Sequence, residues 1–367
     1  QLSMGERQRV EILKALWRDA RILILDEPTA VLTPNEADEL GEVLRHMADD
    51  GRSVIFISHK LHEVTGFCDV ATVLRGGETV AASLPVAETD AATLANLMVG
   101  STSLAGERPP YRTPGEVRLA VSGLCALDDR GLPALHDVDL EVRSGEIVGI
   151  AGVAGNGQRE LAQVAAGLRG STAGSVHLDG KDVTSAPPRR RFGLGLCYIP
   201  EDRIGVGLAP RLSVVENAVL RTYKGHRRGP FLVGSRLTAY CRDLVERFGV
   251  RTGALGDPIA GLSGGNLQRL LVGRELSSRP DVVVAAQPTR GLDVQGVKAI
   301  QDLLVAERDA GTAVLLISED LDELLTLADR LLVMHEGRIV AAFDPMDSER
   351  SVIGEAMAGH LADEGAA

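Results

Sequence analysis

The side chains best suited to chemistry stand directly after two apolar runs near the start of the sequence. The run at 22–25, Ile-Leu-Ile-Leu, is followed by the carboxylates Asp26 and Glu27, and the run at 53–57 is followed within two residues by His59. Ligands of open parallel sheets gather at such strand ends. We predict that Asp26 holds Mg²⁺ through its water shell. Glu27 is predicted to orient or deprotonate an attacking water, and His59 to contact a phosphate or that water.

One segment occurs twice in this sequence, and the two copies differ at the positions of Asp26, Glu27 and His59. Residues 2–81 match residues 262–341 at a constant offset of 260 without a gap. Three reactive groups are lost in the second copy: Asp26 becomes Ala286, Glu27 becomes Gln287 and His59 becomes Glu319. Losing a general base typically costs on the order of 10²- to 10⁴-fold in rate. We therefore expect the first copy to be catalytic and the second to be inactive by this route.

A glycine-rich turn in the second copy predicts a phosphate-binding loop, because successive N–H groups at a helix start suit an anion. The candidate binding residues are Gly152, Gly155, Asn156, Gly157 and Gln158. Against the pattern G-x-x-x-x-G-K-[ST], Gln158 replaces the lysine and Arg159 the hydroxyl residue, which predicts a degenerate loop. At the same offset the first-copy turn would precede Gln1, so we expect the chain to begin inside its first domain.

Each copy also places serine and glycine at the predicted start of a helix, about 20 residues before the strand that ends near Asp26 or Ala286. Hydroxyl and N–H donors at the positive end of a helix dipole suit an anionic γ-phosphate. The candidate residues are Ser3 and Gly5 in the first copy, where Met4 replaces a glycine, and Ser263, Gly264 and Gly265 in the second.

Composition narrows the classes of function. The net charge is −12 and the pI is about 5.2, which argues against a nucleic-acid surface. The short basic runs at 189–191 and 227–228 are interpreted as solvated loops. No apolar run reaches the 18 residues of a membrane span, so a membrane role would require a partner. Four widely spaced cysteines indicate buried thiols in a reducing compartment.

Short apolar runs alternating with helical stretches predict an α/β fold with mainly parallel sheets covered on both faces. Alternating polarity at 117–121 and 138–142 predicts a small antiparallel sheet before the glycine turn. The Gly- and Pro-rich segment 101–116 is typical of a linker. We predict part of a first domain over 1–100, the linker over 101–116, a second domain over 117–350 and a tail over 351–367.

These motifs resemble the nucleotide-binding domain of ABC transporters, and the resemblance covers nearly the whole chain. The signature matches Leu2–Gly5 and Leu262–Gly265, Walker B matches Asp26 and Glu27, the switch histidine matches His59, and a D-loop matches Gly291–Asp293. The resemblance implies two tandem RecA-like domains, the first incomplete and the second carrying antiparallel and helical subdomains. More narrowly, residues 198–203 and 285–293 look like the fused ATPase subunit of bacterial monosaccharide and nucleoside importers, with the nucleoside branch favoured. Glu201 is expected near the contact with the membrane subunit.

The resemblance also implies the cofactors ATP and Mg²⁺ and a head-to-tail pairing of the two domains. One site would join Asp26, Glu27 and His59 to the second signature, and the degenerate site would join the glycine turn to Ser3 and Gly5. This chain alone is then not expected to hydrolyse ATP. Expected partners are membrane permeases and, indirectly, an extracytoplasmic solute-binding protein, with the subunit peripheral on the cytoplasmic face of the cell membrane and no nucleic acid bound.

Two other functions fit parts of the pattern. A soluble twin-domain ABC ATPase acting on ribosomes would usually keep both catalytic glutamates and have a long charged linker. A non-catalytic nucleotide-binding scaffold would bind nucleotide without turnover.

Overall fold

The computed structural model describes residues 10–11, 13–14, 20–29, 32, 34–58, 60–75, 78–90, 93–94, 97–98, 113–153, 155–357 and 359. The chain divides into two compact units. The first consists of Gln1–Pro109, Gly152–Gly155 and Glu349–Ala367, and the second of Pro110–Ala151 and Asn156–Ser348.

In the first unit, two parallel strands are followed by an antiparallel pair. The elements in chain order are β1 (Ile22–Asp26), α1 (Pro34–Asp49), β2 (Ser53–Ile57), α2 (Leu61–Phe67), β3 (Val70–Arg75) and β4 (Glu78–Pro85). Leu23 and Leu25 of β1 pack with Leu44 of α1 in a small core. Because side chains alternate along a strand, the residues between them face away from this core.

The prediction of a sheet covered on both faces is therefore wrong for this unit. Ile22 and Ile24 of β1 are both 64% exposed, and Ile55 and Ile57 of β2 are exposed as well. The apolar sequence of these strands is the same in kind as that of the second unit, but within the described part of the first unit a helix packs against one face of the sheet only.

The second unit is built on a six-stranded sheet in the order β10-β13-β14-β7-β15-β16. Its strands are β7 (Ile147–Ala151), β10 (Leu196–Ile199), β13 (Val282–Ala286), β14 (Ala313–Ile317), β15 (Arg330–His335) and β16 (Arg338–Phe343). All neighbours pair in parallel except β15 and β16. Every residue of β7, β10, β13 and β14 is buried, so both faces are covered as the sequence predicts.

An antiparallel sheet and a group of helices complete the second unit. The sheet has the order β6-β5-β8-β9, which confirms the antiparallel pair predicted before the glycine turn. Its strands are β5 (Val117–Leu127), β6 (Pro133–Arg143), β8 (Ala173–Leu178) and β9 (Lys181–Asp182). The helices are α3 (Gln158–Ala166), α4 (Pro188–Gly193), α5 (Val214–Val219), α6 (Gly234–Arg247), α7 (Gly264–Leu276), α8 (Val294–Asp309) and α9 (Leu321–Leu327). A hairpin of β11 (Arg227–Arg228) and β12 (Phe231–Leu232) lies between α5 and α6.

Elements of the two units coincide at the sequence offset of 260. Adding 260 to the bounds of β1, α1, β2 and α2 gives the bounds of β13, α8, β14 and α9. Register agrees too, because Leu23 pairs with Val54 and Val283 pairs with Val314. Residues 350–357, which the sequence analysis divided between the second domain and a tail, form helix α10 (Arg350–Met357) with Ile353 buried.

Candidate functional site

The two carboxylates of the first unit stand at the carboxyl end of β1, as predicted. Asp26 is the last residue of the strand and is exposed, and Glu27 follows it half-buried. Glu27 adopts a left-handed backbone conformation (φ 46°), and its N–H donates to the carbonyl of Ile57 at 2.9 Å. This bond ties the turn after β1 to the end of β2. His59 lies outside the described residues.

A buried carboxylate holds the loops behind these residues together. Glu63 of α2 is fully buried and accepts hydrogen bonds from the hydroxyls of Thr29 and Ser58, each at 2.6 Å. The Nζ of Lys60 is 3.7 Å from Glu63 Oε1, and the backbone N–H of Lys60 donates to Ser58 Oγ at 3.1 Å. The sequence analysis gave Thr29 and Glu63 no role, although both recur at the offset of 260, as Thr289 and Glu323.

The second unit repeats this scaffold without the carboxylates at the strand end. Gln287 has a φ of 50°, and its N–H donates to the carbonyl of Ile317 at 2.8 Å. Ser318 Oγ donates to Glu323 Oε2 at 2.6 Å, as Ser58 does to Glu63. Gln287 Oε1 accepts from the N–H of Glu319 at 3.3 Å, so an amide oxygen contacts the loop at the position of the expected switch residue.

The charge beside the buried glutamate differs between the two units because of one substitution. Where Lys60 lies near Glu63, the second unit has Asp320, which caps α9 by accepting from the N–H groups of Asp322 and Glu323. Complete burial raises the pKa of Glu323 to about 7; the Ser318 hydroxyl opposes this shift, and the charge of Asp320 adds to it. Glu323 is therefore a carboxyl that gains or loses its proton near neutral pH.

The glycine turn has the backbone of a phosphate loop but not its usual side chains. Gly155 and Gly157 have φ of 95° and 100°, a region that favours glycine. A Cβ on Gly157 would lie 2.6 Å from the carbonyl oxygen of Ala134, so this position excludes other residues on steric grounds also. Gly152 lies between β7 and the turn, and Gln158 is the buried first residue of α3.

Two neighbours of the turn have contacts that the sequence analysis missed. Asn156 fixes the turn to the β15–β16 hairpin, because its side-chain oxygen accepts from the N–H of Glu336 at 2.9 Å and its carbonyl accepts from Gly337 at 3.0 Å. Arg159, at the position of the metal-binding hydroxyl, forms an ion pair with Asp129 at 3.3 Å. Hydrogen bonding from Arg169 and the charge of Arg159 lower the pKa of Asp129.

The predicted signature of the second copy lies at the start of α7. Ser263 precedes the first helical residue, Gly264, and Gly265 follows. The Ser263 hydroxyl accepts from the side-chain amide of Asn266 at 2.8 Å rather than from a backbone N–H of the helix. Ser3 and Gly5, the candidates of the first copy, lie outside the described residues.

Arg203 connects this signature to the predicted D-loop, a link that no sequence motif indicated. Its guanidinium donates to the carbonyl of Gly264 at 3.1 Å and to the carbonyl of Arg290. Arg290 in turn forms an ion pair with Glu201, the residue expected near a membrane subunit. Burial lowers the pKa of Arg203. Glu201 and Arg203 thus form one polar network with Gly264 of the signature and with Arg290, which directly precedes the predicted D-loop.

The side chains that could bind a metal ion differ between the ends of β1 and β13. Asp26 and Glu27 offer carboxylate oxygens, which fit a hard divalent cation that keeps part of its water shell. Ala286 and Gln287 offer no carboxylate at the matching positions.

Two kinds of feature are absent from the described residues. Among these residues, no three His, Cys, Asp or Glu side chains are grouped so that they could hold a metal ion. No helix in this part of the chain has the length and apolar character needed to cross a membrane.

Comparisons with known proteins agree with this architecture. The family model described as ABC transporter matches residues 1–30 and 135–290. The ATP-binding cassette MJ1267 has 20% sequence identity and a TM-score of 0.57, covering 67% of this chain and 99% of its own. The dimeric bacterial ABC transporter cassette MJ0796 has 21% identity and a TM-score of 0.55, covering 62% of this chain and 98% of its own. The fold is that of an ABC ATPase cassette.

Curated relatives are similar over most of this chain. The glucose import ATP-binding protein TsgD13 of Haloferax volcanii is 48% identical over 98% of the chain, which spans 66% of that relative. The guanosine import ATP-binding protein NupO of Bacillus subtilis is 41% identical over 98% of the chain, which spans 70% of that relative. These relatives and the matched family model show that the chain belongs to the ATP-binding subunits of ABC transporters of the sugar and nucleoside importer type.

Proposed function

We propose that this chain belongs to an ATP-hydrolysing subunit that drives import of nucleosides or simple sugars, with one catalytic site and one degenerate site. The proposal rests on a comparison of the residues that follow β1 in the first unit and β13 in the second. Glu27 and Gln287 share a left-handed backbone and the same hydrogen bond to the neighbouring strand, but only the first unit has carboxylates there. A difference confined to side chains on matching backbones supports a difference in chemistry.

We infer that the two units are two fused copies of one cassette, the first of them incomplete. The coincident helix and strand bounds at the offset of 260 support the duplication. The exposure of strand residues in the first unit supports the inference that this copy is incomplete. In the second unit, Val282, Val284 and Leu315 pack in one core with residues of α3 and the antiparallel sheet, whereas their counterparts Ile22, Ile24 and Ile55 are exposed.

The catalytic site is proposed to combine residues of both copies in a head-to-tail arrangement. Its members are Asp26, Glu27 and His59 from the first copy and Ser263, Gly264 and Gly265 from the second. The degenerate site would use Gly152, Gly155, Asn156, Gly157 and Gln158 together with Ser3 and Gly5. The pairing of Arg159 with Asp129 agrees with a degenerate loop, because this side chain is already occupied by a carboxylate.

In the proposed reaction Glu27 orients the attacking water and accepts its proton, and His59 contacts the γ-phosphate or the water. Asp26 would hold Mg²⁺, which supplies charge neutralisation on the phosphates when bound. The network around Glu63 fixes the loops that carry these groups, since Thr29 and Ser58 donate to the same buried carboxylate. The side-chain amide of Gln287, at the position that matches Glu27, cannot accept a proton from water in this way.

The relatives support a transport role over the alternative of a ribosome-acting ATPase, because those named above are import proteins for glucose and guanosine. Relatives named for ribose import are also similar, at 36 to 39% identity. The nucleoside branch favoured by the sequence remains our preference within this substrate class. The subunit is proposed to lie on the cytoplasmic face of the membrane against permease subunits, to act indirectly with a solute-binding protein, and to bind no nucleic acid.

Mutagenesis of the intact subunit with its permeases tests the catalytic assignment. Glu27→Gln should lower ATP hydrolysis by at least about 100-fold while nucleotide still binds, because Gln keeps the shape and loses the base. The matched control Gln287→Ala alters the equivalent position and should leave turnover within about two-fold. Equal losses in both variants, or unchanged turnover in Glu27→Gln, would contradict the assignment. Nucleotide binding without hydrolysis in the unaltered subunit would identify a scaffold.

Further measurements test the shared site and the substrate class. Ser263→Arg should abolish hydrolysis as fully as Glu27→Gln if the second signature completes the first catalytic site. In the Glu27→Gln subunit, about one tightly bound ATP per chain is expected, and two would refute the degenerate site. Uptake of labelled guanosine, ribose and glucose by cells with and without the subunit would identify the substrate. Unchanged uptake of all three would exclude these three compounds as substrates.

A further inference from the structure

The β11–β12 hairpin of the second unit combines cations with exposed apolar side chains. Arg227 pairs with Leu232 and Arg228 with Phe231, across a turn that begins at Gly229 with a φ of 62°. Directly paired residues of an antiparallel hairpin share a face. Each face of this hairpin therefore carries one arginine and one apolar residue.

The charge around the hairpin is opposite to that of the chain. No Asp or Glu occurs between Glu216 and Asp243, while the chain as a whole has a net charge of −12. Six cations lie in this stretch: Arg221, Lys224, Arg227, Arg228, Arg236 and Arg242. Arg221 is used inside the fold, where it pairs with Glu275 and lies over the ring of Phe192. Lys224, Arg227 and Arg228 are exposed.

Two surface arginines elsewhere in this unit illustrate the usual pairing with a carboxylate. Arg118 pairs with Asp179 at 2.9 Å, and Arg143 pairs with Glu141 at 3.1 Å. The absence of acidic residues from 217–242 in the sequence means that the hairpin has no such neighbour along the chain. Its cations are thus available to an anionic partner.

The apolar residues of the hairpin are exposed, while contacts below them connect the hairpin to helix α6. Phe231 is 75% exposed, and Leu232 and Tyr223 are exposed as well. Below them, the N–H of Val233 donates to the carbonyl of His226 at 3.0 Å, and the His226 ring lies 4.8 Å from that of Tyr240. The exposed ring of Phe231 is therefore presented to solvent by ordered structure.

We propose that this hairpin, with Tyr223 and Lys224, binds the anionic lipid surface of the membrane directly. Arginine and lysine would contact lipid phosphates, and Phe231 and Leu232 would enter the boundary between headgroups and acyl chains. The mixture of both residue kinds on each hairpin face fits this layered environment. The proposal goes beyond ATP hydrolysis, which requires contact with the permease but not with lipid.

Vesicle binding by the purified chain tests this inference. Vesicles of phosphatidylcholine with one quarter phosphatidylglycerol should co-sediment the chain, and pure phosphatidylcholine vesicles should not. Each cation at such a surface contributes about a five-fold gain in affinity, so Arg227→Gln/Arg228→Gln should weaken binding roughly 25-fold. Phe231→Ser should also weaken binding, and this loss should persist at high salt, where the electrostatic contribution is screened.

The matched control is Arg189→Gln/Arg190→Gln, which removes two exposed cations of α4 and should change binding less than about two-fold. Circular dichroism would verify that each variant is folded. An equal loss in the control, equal binding to neutral vesicles, or no binding to anionic vesicles would overturn the inference. So would hairpin variants that keep vesicle affinity but lose association with the permease, since that result identifies a protein contact. The vesicles contain neither permease nor nucleotide, so failure here leaves the proposed ATPase function untouched.

Discussion

Replacing Glu323 by Gln should make the second unit less sensitive to pH. This carboxyl is completely buried, and its pKa is raised from the usual 4.5 to about 7. At about 1.4 kcal/mol per pH unit, that difference corresponds to roughly 3 kcal/mol of free energy of unfolding. Because the folded-state pKa is the higher one, this stability is fully present below pH 4.5 and is lost as the pH rises through 7. Glu323→Gln removes the titrating group and should remove that loss.

The measurement is thermal unfolding of wild type and variant between pH 4.5 and 8.5, followed by circular dichroism. For a unit of this size, roughly 3 kcal/mol corresponds to a shift of about 6 to 12 °C in Tm. The variant should therefore gain that much relative to wild type across the range. Asp320→Asn keeps the helix cap and removes the neighbouring charge, so it should move the transition to lower pH. A difference between wild type and Glu323→Gln that stays constant with pH would refute the reasoning.

Three other substitutions test contacts elsewhere in the second unit. Gly157→Ala should destabilise the fold by about 2 kcal/mol or more, measured by urea denaturation, because its Cβ would meet the carbonyl of Ala134 at 2.6 Å in a left-handed conformation. Arg191→Met should cost about 3 kcal/mol in the same assay, since the buried guanidinium donates to four backbone carbonyls. Arg203→Ala should lower ATP turnover of the intact subunit by about 10-fold with unchanged stability, because it frees the carbonyl of Gly264. Stability within 0.5 kcal/mol of wild type for the first two, or unchanged turnover for the third, would contradict these contacts.

The sequence predicted the strands and turns that carry the candidate site because their signals are local. Continuous apolar runs predicted β1, β2, β13 and β14, and the gapless repeat indicated that the same fold occurs twice. Glycine spacing similarly predicted the turn at 152–157, where Gly155 and Gly157 have the left-handed φ that such a turn requires. Each of these features is determined by residues close together in the chain.

Features that depend on distant partners were not predictable in the same way. The runs containing Ile24 and Val284 look alike in sequence, but one side chain is 64% exposed and the other buried, since burial depends on what packs against the sheet. The bond from Arg203 to Gly264 spans 61 positions, and nothing in the type of either residue indicates it. Likewise, the loop pattern showed that Arg159 replaces a hydroxyl residue, but its contact with Asp129 depends on the turn before β6.

The left-handed backbone at Glu27 and Gln287 bears on how activity is gained and lost in duplicated enzymes. Strained backbone is often taken as a sign of catalytic function. Here the strained position is kept equally with and without a carboxylate, so it belongs to the turn that follows the strand and is hydrogen-bonded to the end of the neighbouring strand. If the two units are copies of one cassette, as we propose, the second lost its carboxylates through side-chain replacement alone, on an unchanged backbone. For the same reason, the backbone at this turn does not distinguish the two units, and only their side chains do.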